Sequence, residues 1–94
     1  MVTLKEILST STANLVDVRT NEEFIGGSIE GSINIPMSEV EKNLEKLKSL
    51  QPLVVFCKSG YRSGQVLSYL QNKGCESVWN GGGWVDLKHF ISEI

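Results

Sequence analysis

The feature of this 94-residue sequence that most constrains its fold is an apolar run, Leu53-Val54-Val55-Phe56-Cys57. Polar and apolar residues do not alternate in it, so a strand formed here would be covered on both faces. Such strands are typical of parallel sheets that lie between two layers of helices. The run therefore predicts a central strand with Cys57 at its carboxyl end.

The rest of the chain alternates strand-like and helical stretches. We expect further strands over residues 14–18, 32–35 and 76–79. Helices are expected from the capping box of Thr3 and Glu6, from Ser38 onward, and over residues 22–25, 65–73 and 84–94. Residues 59–64 and 80–83 have the composition of loops. Strands separated by helices predict an α/β fold with a parallel sheet, and the length predicts a single domain over residues 1–94.

The residues that follow Cys57 suit chemistry at the end of a strand, where parallel sheets bind ligands. Backbone N–H groups of the turn and the start of the next helix would point at the sulfur and lower its pKa. Lys58 and Arg62 add positive charge, and Gly60 permits the positive φ of a tight loop. This pattern predicts a nucleophilic Cys57 in an anion-binding loop. The alternative is a buried structural cysteine at an ordinary turn.

Composition argues against several classes of function. The formal net charge is −2 and no basic run is present, so we expect neither nucleic acid nor a membrane surface as a partner. One histidine, His89, and two cysteines give no metal-ligand spacing, so no metal or other cofactor is expected. Residues 1–8 do not resemble a signal peptide, and the cysteine count fits a reducing compartment. We therefore expect a cytoplasmic protein.

Four segments, in this order along the chain, resemble the rhodanese family: residues 15–24, residues 27–36, the Cys-x-x-Gly-x-Arg loop of residues 57–62, and Gly81-Gly82-Gly83-Trp84. The resemblance covers nearly the whole chain and points to a single-domain sulfurtransferase. It implies a three-layer α/β domain with a parallel sheet of about five strands. Ser28 departs from the family, in which many relatives carry histidine at this position, and we expect a structural consequence at most.

The resemblance also implies a reaction. The cysteine, here Cys57, takes sulfane sulfur from a donor such as thiosulfate and holds it as a persulfide. A thiophilic acceptor, such as cyanide or a thiol, then receives the sulfur. The expected partners are therefore a small-molecule donor and acceptor, with a sulfur-accepting protein as a further candidate.

Loop length bears on which chemistry the site performs, since the residues alone fit attack on either phosphorus or sulfane sulfur. Four residues, Lys58 to Tyr61, separate Cys57 from Arg62. Rhodanese-type loops are similar, whereas related cysteine phosphatases have five, and a persulfide needs less room than a phosphate. This favours sulfur. The alternatives are a cysteine phosphatase or arsenate reductase on the same fold, and a binding module that delivers sulfur to a partner protein.

The other candidate site residues each have two interpretations. Arg19 is predicted to attract an anionic donor and Asp17 to support the loop, or the two form a buried ion pair. Arg62 contacts substrate or pairs with Glu22 or Glu23. Trp84 borders the site or packs the last helix, and Cys75 resolves a persulfide or is simply buried. The predicted active-site loop consists of Lys58, Ser59, Gly60, Tyr61 and Arg62.

Overall fold

A computed structural model describes residues 2–10 and 12–94. The helices are α1 (Leu4–Ser9), α2 (Asn21–Ile25), α3 (Leu44–Ser49), α4 (Tyr61–Asn72) and α5 (Trp84–Ser92), with a 3₁₀ turn at Met37–Glu39. The strands are β1 (Asn14–Asp17), β2 (Ile33–Asn34), β3 (Leu53–Cys57) and β4 (Val78–Gly83). The predicted capping box of Thr3 and Glu6 is present at the start of α1.

The four strands form one parallel sheet in the order β2-β1-β3-β4. The predicted central strand is confirmed, because β3 lies between β1 and β4 and all five of its residues are buried. The expectation of about five strands is slightly wrong: the described residues form four. The pattern of residues had indicated four, and the fifth rested on the resemblance alone.

Helices cover both faces of the sheet, which confirms the three-layer α/β fold. Along β3, Leu53, Val55 and Cys57 face a core that includes Leu47 of α3 and the buried side of α4. Val54 and Phe56 point the opposite way, into a second core with residues of α1 and α5. The alternation of side chains along a strand thus supplies two cores from a single apolar run.

The helix predicted from Ser38 begins later, at Leu44. Residues Met37–Glu39 form a 3₁₀ turn after Pro36, and no side chain caps it. Asn43 then donates both its backbone N–H and its side-chain amide to the Glu39 carbonyl, at 3.2 and 2.8 Å. A side chain that competes for a backbone carbonyl in this way interrupts a helix. The regular helix therefore starts only after Asn43.

Two boundaries near Cys57 also differ from the prediction. Helix α4 begins at Tyr61 and not at residue 65, because Ser63 is fully buried in tertiary contacts that outweigh its loop-like composition. Residues 80–83, predicted as a flexible turn, belong to β4. They pair with β3, with Asn80 opposite Val55 and Gly83 opposite Cys57.

The strand order creates a crevice at the carboxyl edge of the sheet. The chain leaves β1 toward a connection that contributes Ile29 to the core beneath α1 and α5. It leaves β3 toward α4, whose Val66 and Leu70 lie in the other core. Adjacent strands whose connections depart to opposite faces leave a gap between them, and in α/β proteins this gap is the usual binding site. Cys57 lies at this edge.

We expect Leu47→Ala to lower the free energy of unfolding by about 2–5 kcal/mol, because Leu47 is fully buried and its removal leaves a cavity. Leu44→Ala, on the same helix but only partly buried, is the matched control and should cost clearly less. Urea denaturation of both variants measures the difference. Equal losses would contradict the assignment of Leu47 to the core.

Candidate active site

Cys57 ends β3, and its side chain lies in the turn that leads to α4. Its Sγ accepts hydrogen bonds from the backbone N–H of Gly60 at 3.0 Å, from the N–H of Ser63 at 3.4 Å and from the Ser63 hydroxyl at 3.4 Å. The predicted arrangement, with the sulfur facing backbone N–H groups at a helix start, is present. The residue is only 1% exposed, so the sulfur is held within the loop.

These contacts favour ionisation of the thiol. Burial is the largest influence and opposes it, but the hydrogen bonds from the Ser63 hydroxyl and from the N–H groups of Ser63, Ser59 and Gly60 together outweigh burial. The pKa of Cys57 therefore lies below its usual value. Cys75 is the contrast, because burial raises the pKa of its thiol. Cys57 is thus the more nucleophilic of the two cysteines.

Gly60 has a positive φ of 97° and precedes the first residue of α4. Residues with a side chain rarely adopt this conformation, and a Cβ here would also lie 3.2 Å from the backbone of Gly82. The turn can therefore bring the Gly60 N–H back onto the sulfur. This is the role that the sequence predicted for this glycine.

Arg62 pairs with Glu23 of α2, as one of the two sequence interpretations proposed. Its Nη1 and Nη2 donate to the two carboxylate oxygens of Glu23 at 2.8 and 3.1 Å. This bond, together with hydrogen bonds from Thr20, lowers the pKa of Glu23 from its usual 4.5 to about 2, and the bond to Glu23 raises the pKa of Arg62. Arg62 has no hydrogen bond to the sulfur, so the pair ties the cysteine loop to α2.

Asp17 and Arg19 form a buried ion pair at the carboxyl end of β1. The Arg19 guanidinium donates to Asp17 at 2.7–3.0 Å and to the Gly27 carbonyl at 2.7 Å. It also lies over the Trp84 ring, 4.5 Å from the centroid. Arg19 is 4% exposed and Asp17 fully buried. This geometry is that of the buried ion pair, the second of the two interpretations. A direct contact of Arg19 with substrate stays a prediction.

The remaining loop residues face the solvent. Lys58 and Ser59 are exposed, and Tyr61 is 73% exposed. Trp84 belongs to the core beneath α1 and α5 and contacts Arg19, so it packs the last helix beside the Asp17–Arg19 pair. Lys58 and Tyr61 remain candidates for contact with a substrate at the mouth of the loop.

Cys75 lies away from Cys57. It precedes β4, whose residue Val78 is paired with Leu53 at the amino end of β3, whereas Cys57 is at the carboxyl end. Four residues along a strand span about 13 Å, and a disulfide needs Cα atoms within about 7 Å. The topology therefore argues against a disulfide between Cys57 and Cys75. Cys75 fits the other interpretation, that of a buried side chain.

Sequence reasoning missed one residue of the site, Asn80. Its amide contacts both Gly60 and Ser63, and both of these residues donate to the Cys57 sulfur. The sequence predicts a turn at this position, because Asn-Gly sequences are typical of turns. Its position opposite Val55, in the middle of β3, could only have been found from the strand register.

Comparison with known proteins identifies the family. The family described as "Rhodanese-like domain" matches residues 2–89. The chain belongs to the rhodanese-like domain family. The "Thiosulfate:glutathione sulfurtransferase" of Homo sapiens is 33% identical, and the match covers 85% of this chain and 82% of that protein. The solved structure of the human single-domain sulfurtransferase TSTD1 is 32% identical, with a TM-score of 0.71, and the match covers 86% of this chain and 84% of that one.

Other rhodanese relatives are longer. "Uncharacterized protein YqhL" of Bacillus subtilis is 35% identical over 68 residues, which are 72% of this chain but 54% of that protein. The comparisons confirm the predicted family. Within residues 2–10 and 12–94, no helix is both long and apolar enough to cross a membrane. The same residues contain no group of three or more His, Cys, Asp or Glu side chains placed to hold a metal ion.

We expect Glu23→Gln to lower the free energy of unfolding at neutral pH by roughly 0.5–1 kcal/mol, since the Arg62 pair is partly exposed. Glutamine retains the capping interaction with Thr20 but not the charge. Because the pKa of Glu23 is lowered to about 2 in the folded protein, its stabilisation is complete above the unfolded value of about 4.5. It disappears as the pH falls from there through about 2.

Urea denaturation of wild type and variant across this pH range tests the prediction. Glu22→Gln, at the exposed neighbouring position on α2, is the matched control and should change stability little at any pH. A difference between wild type and Glu23→Gln that persists unchanged at pH 2 would contradict the role of the ion pair.

Proposed function

We propose that this protein is a sulfurtransferase that moves sulfane sulfur from thiosulfate, or a similar donor, to a thiophilic acceptor through a persulfide on Cys57. The observation that carries the proposal is the Cys57 sulfur, which accepts three hydrogen bonds from a loop with four residues between Cys57 and Arg62. Membership of the rhodanese-like family supports the same class of reaction.

In the first half-reaction the Cys57 thiolate attacks the outer sulfur of thiosulfate. The new S–S bond forms as the sulfur–sulfur bond of the donor breaks, and sulfite leaves with the bonding electron pair. The product is Cys57–S–S⁻, and its negative charge is now on the outer sulfur. The hydrogen bonds to Sγ lower the pKa of Cys57 and so increase the fraction of thiolate available for this attack.

The start of α4 supplies donors for the outer sulfur of the persulfide. The first N–H groups of a helix have no carbonyl partner within that helix, and they concentrate partial positive charge at its start. The N–H of Ser63 already contacts Sγ, whereas Tyr61 and Arg62 begin the same turn. Exposed Lys58 adds charge that would attract an anionic donor from solvent.

In the second half-reaction an acceptor attacks the outer sulfur and restores the Cys57 thiolate. Cyanide would leave as thiocyanate, and a thiolate would leave as a hydropersulfide. A thiol acceptor is supported by the human relative named for thiosulfate and glutathione. Because donor and acceptor react in turn at the same sulfur, the kinetics should be ping-pong.

Incubation with thiosulfate should increase the intact mass of the protein by one sulfur atom, and later addition of cyanide or glutathione should remove it. Cys57→Ser should abolish the increase, because no nucleophile remains at the loop. Cys75→Ser is the matched control and should still gain the sulfur atom, since Cys75 precedes β4 at the amino ends of the strands and Cys57 lies at the carboxyl end of β3.

An unchanged wild-type mass after treatment with several sulfane donors would exclude the proposal. Hydrolysis of an aryl phosphate that depends on Cys57, without any sulfur transfer, would instead support a cysteine phosphatase. Insertion of one residue after Lys58 tests the importance of loop size. It should reduce sulfur loading and move activity toward phosphate.

A further inference from the structure

Asn80 of β4 makes three hydrogen bonds with its side-chain amide. Its Oδ1 accepts from the Ser63 hydroxyl at 2.7 Å and from the Gly82 N–H at 2.9 Å. Its Nδ2 donates to the Gly60 carbonyl at 3.2 Å. The amide therefore joins a neighbouring strand to both ends of the turn that surrounds the Cys57 sulfur.

The orientation of this amide is determined by its partners. The Gly82 N–H can only donate and the Gly60 carbonyl can only accept. An exchange of the amide oxygen and nitrogen would place two donors together at Gly82 and two acceptors together at Gly60. Oδ1 must therefore face Ser63, where it is an acceptor for the hydroxyl hydrogen.

Asn80 holds the same two residues that donate to the sulfur. The N–H of Gly60 contacts Sγ while its carbonyl accepts from Asn80. The hydroxyl of Ser63 lies within reach of both Sγ and Asn80 Oδ1. Ser63 is fully buried, so water does not replace either contact. The positions of the Gly60 and Ser63 donors thus depend on the Asn80 amide.

The Ser63 hydroxyl has a single hydrogen and two acceptors. Asn80 Oδ1 is the closer partner, at 2.7 Å against 3.4 Å for Sγ, while a negative charge on Sγ strengthens the competing bond to sulfur. When the charge moves to the outer atom of a persulfide, the hydrogen can return to Asn80. Whether the charge is on Sγ or on the outer sulfur, Asn80 keeps the Ser63 hydroxyl oxygen beside Sγ.

We propose that Asn80 is a positioning residue for the reaction at Cys57, acting through Gly60 and Ser63 to keep their donors directed at the sulfur. This proposal rests on the proposed function, because it takes Cys57 as the nucleophile. Without the amide, the donors to the thiolate would be less well placed. The thiolate would then form at higher pH.

Charged groups near Cys57 come from several elements. Lys58 and Arg62 flank it on its own loop and helix, and the Asp17–Arg19 pair and Glu23 lie on the β1 side. Helix α5 carries Asp86 in its first turn. Strand β4, which carries Asn80, has no titratable side chain. Replacement of Asn80 by an uncharged residue therefore leaves all of these charges in place.

The test is a pH titration of the Cys57 thiolate, followed by its ultraviolet absorbance and corrected with the Cys57→Ser form of each variant. Asn80→Leu and Asn80→Ala should both move the titration to higher pH. At a fixed pH below the midpoint, the thiolate fraction should fall roughly three- to tenfold, as expected when hydrogen bonds to a charged group are weakened.

Trp79→Phe is the matched control, because Trp79 adjoins Asn80 but donates to the Val2 carbonyl and packs in the core away from the loop. It should leave the titration unchanged even where it lowers the melting temperature. An unchanged titration in a folded Asn80→Leu or Asn80→Ala, or an equal shift in Trp79→Phe, would overturn the proposal.

If circular dichroism shows that both Asn80 variants are unfolded, Asn80→Ser replaces them, because its shorter side chain keeps a polar group at this position but is not expected to bridge Gly60 and Ser63. An unchanged titration in folded Asn80→Ser would also overturn the proposal. The readout does not depend on sulfur transfer. A protein that titrates as expected but never gains sulfur would contradict the proposed function and leave the role of Asn80 intact.

Discussion

The close approach of β4 to the cysteine loop is the constraint on which the rest of the site depends. A Cβ on Gly83 would lie 2.7 Å from the Lys58 carbonyl oxygen, closer than real Cβ atoms come to a backbone atom. Only glycine lets the strand and the loop meet at this distance. With the loop held against β4, the Gly60 N–H is directed at the sulfur and Asn80 reaches both Gly60 and Ser63. The glycine-rich segment thus forms one side of the candidate active site.

Local pattern predicted the central strand and its cysteine because each depends on few residues. The apolar run of β3 indicates a strand that is covered on both faces. A cysteine at its end, with a glycine three residues later, indicates a tight turn beside the sulfur. The family resemblance added the layered fold. The pairing of Arg62 with a glutamate of α2 was one of two interpretations that the sequence left open, and the structure contains this pair.

What sequence missed depends on contacts between distant segments. Residues 80–83 have turn composition, yet pairing with β3 makes them a strand. Ser63 and its neighbours look like a loop, yet burial against the sulfur and Asn80 makes them the first turn of α4. Helix α3 starts late because one asparagine side chain binds a carbonyl four residues back. In each case tertiary contacts outweigh local propensity.

Two ion pairs surround the loop and neutralise most of its fixed charge. Arg19 forms an ion pair with Asp17, and Arg62 forms one with Glu23. The charge of each guanidinium is therefore balanced by a carboxylate and not by the sulfur. The predicted anion-binding character of the site would then come mainly from backbone N–H groups, with exposed Lys58 as the remaining cation on the loop. Dipoles of this kind stabilise a charge at a defined point over a short distance. They suit a single sulfur anion.

The same geometry bears on the choice between sulfur and phosphorus. Gly60 and Ser63 already donate to Sγ, so the donors left for a second group are the few at the start of α4. A persulfide adds one anionic atom bonded directly to Sγ, and one or two N–H groups can satisfy it. A phosphoryl group presents three charged oxygens that need donors around a wider ring. With four residues between Cys57 and Arg62, and with Arg62 turned toward Glu23, this loop provides for the smaller anion.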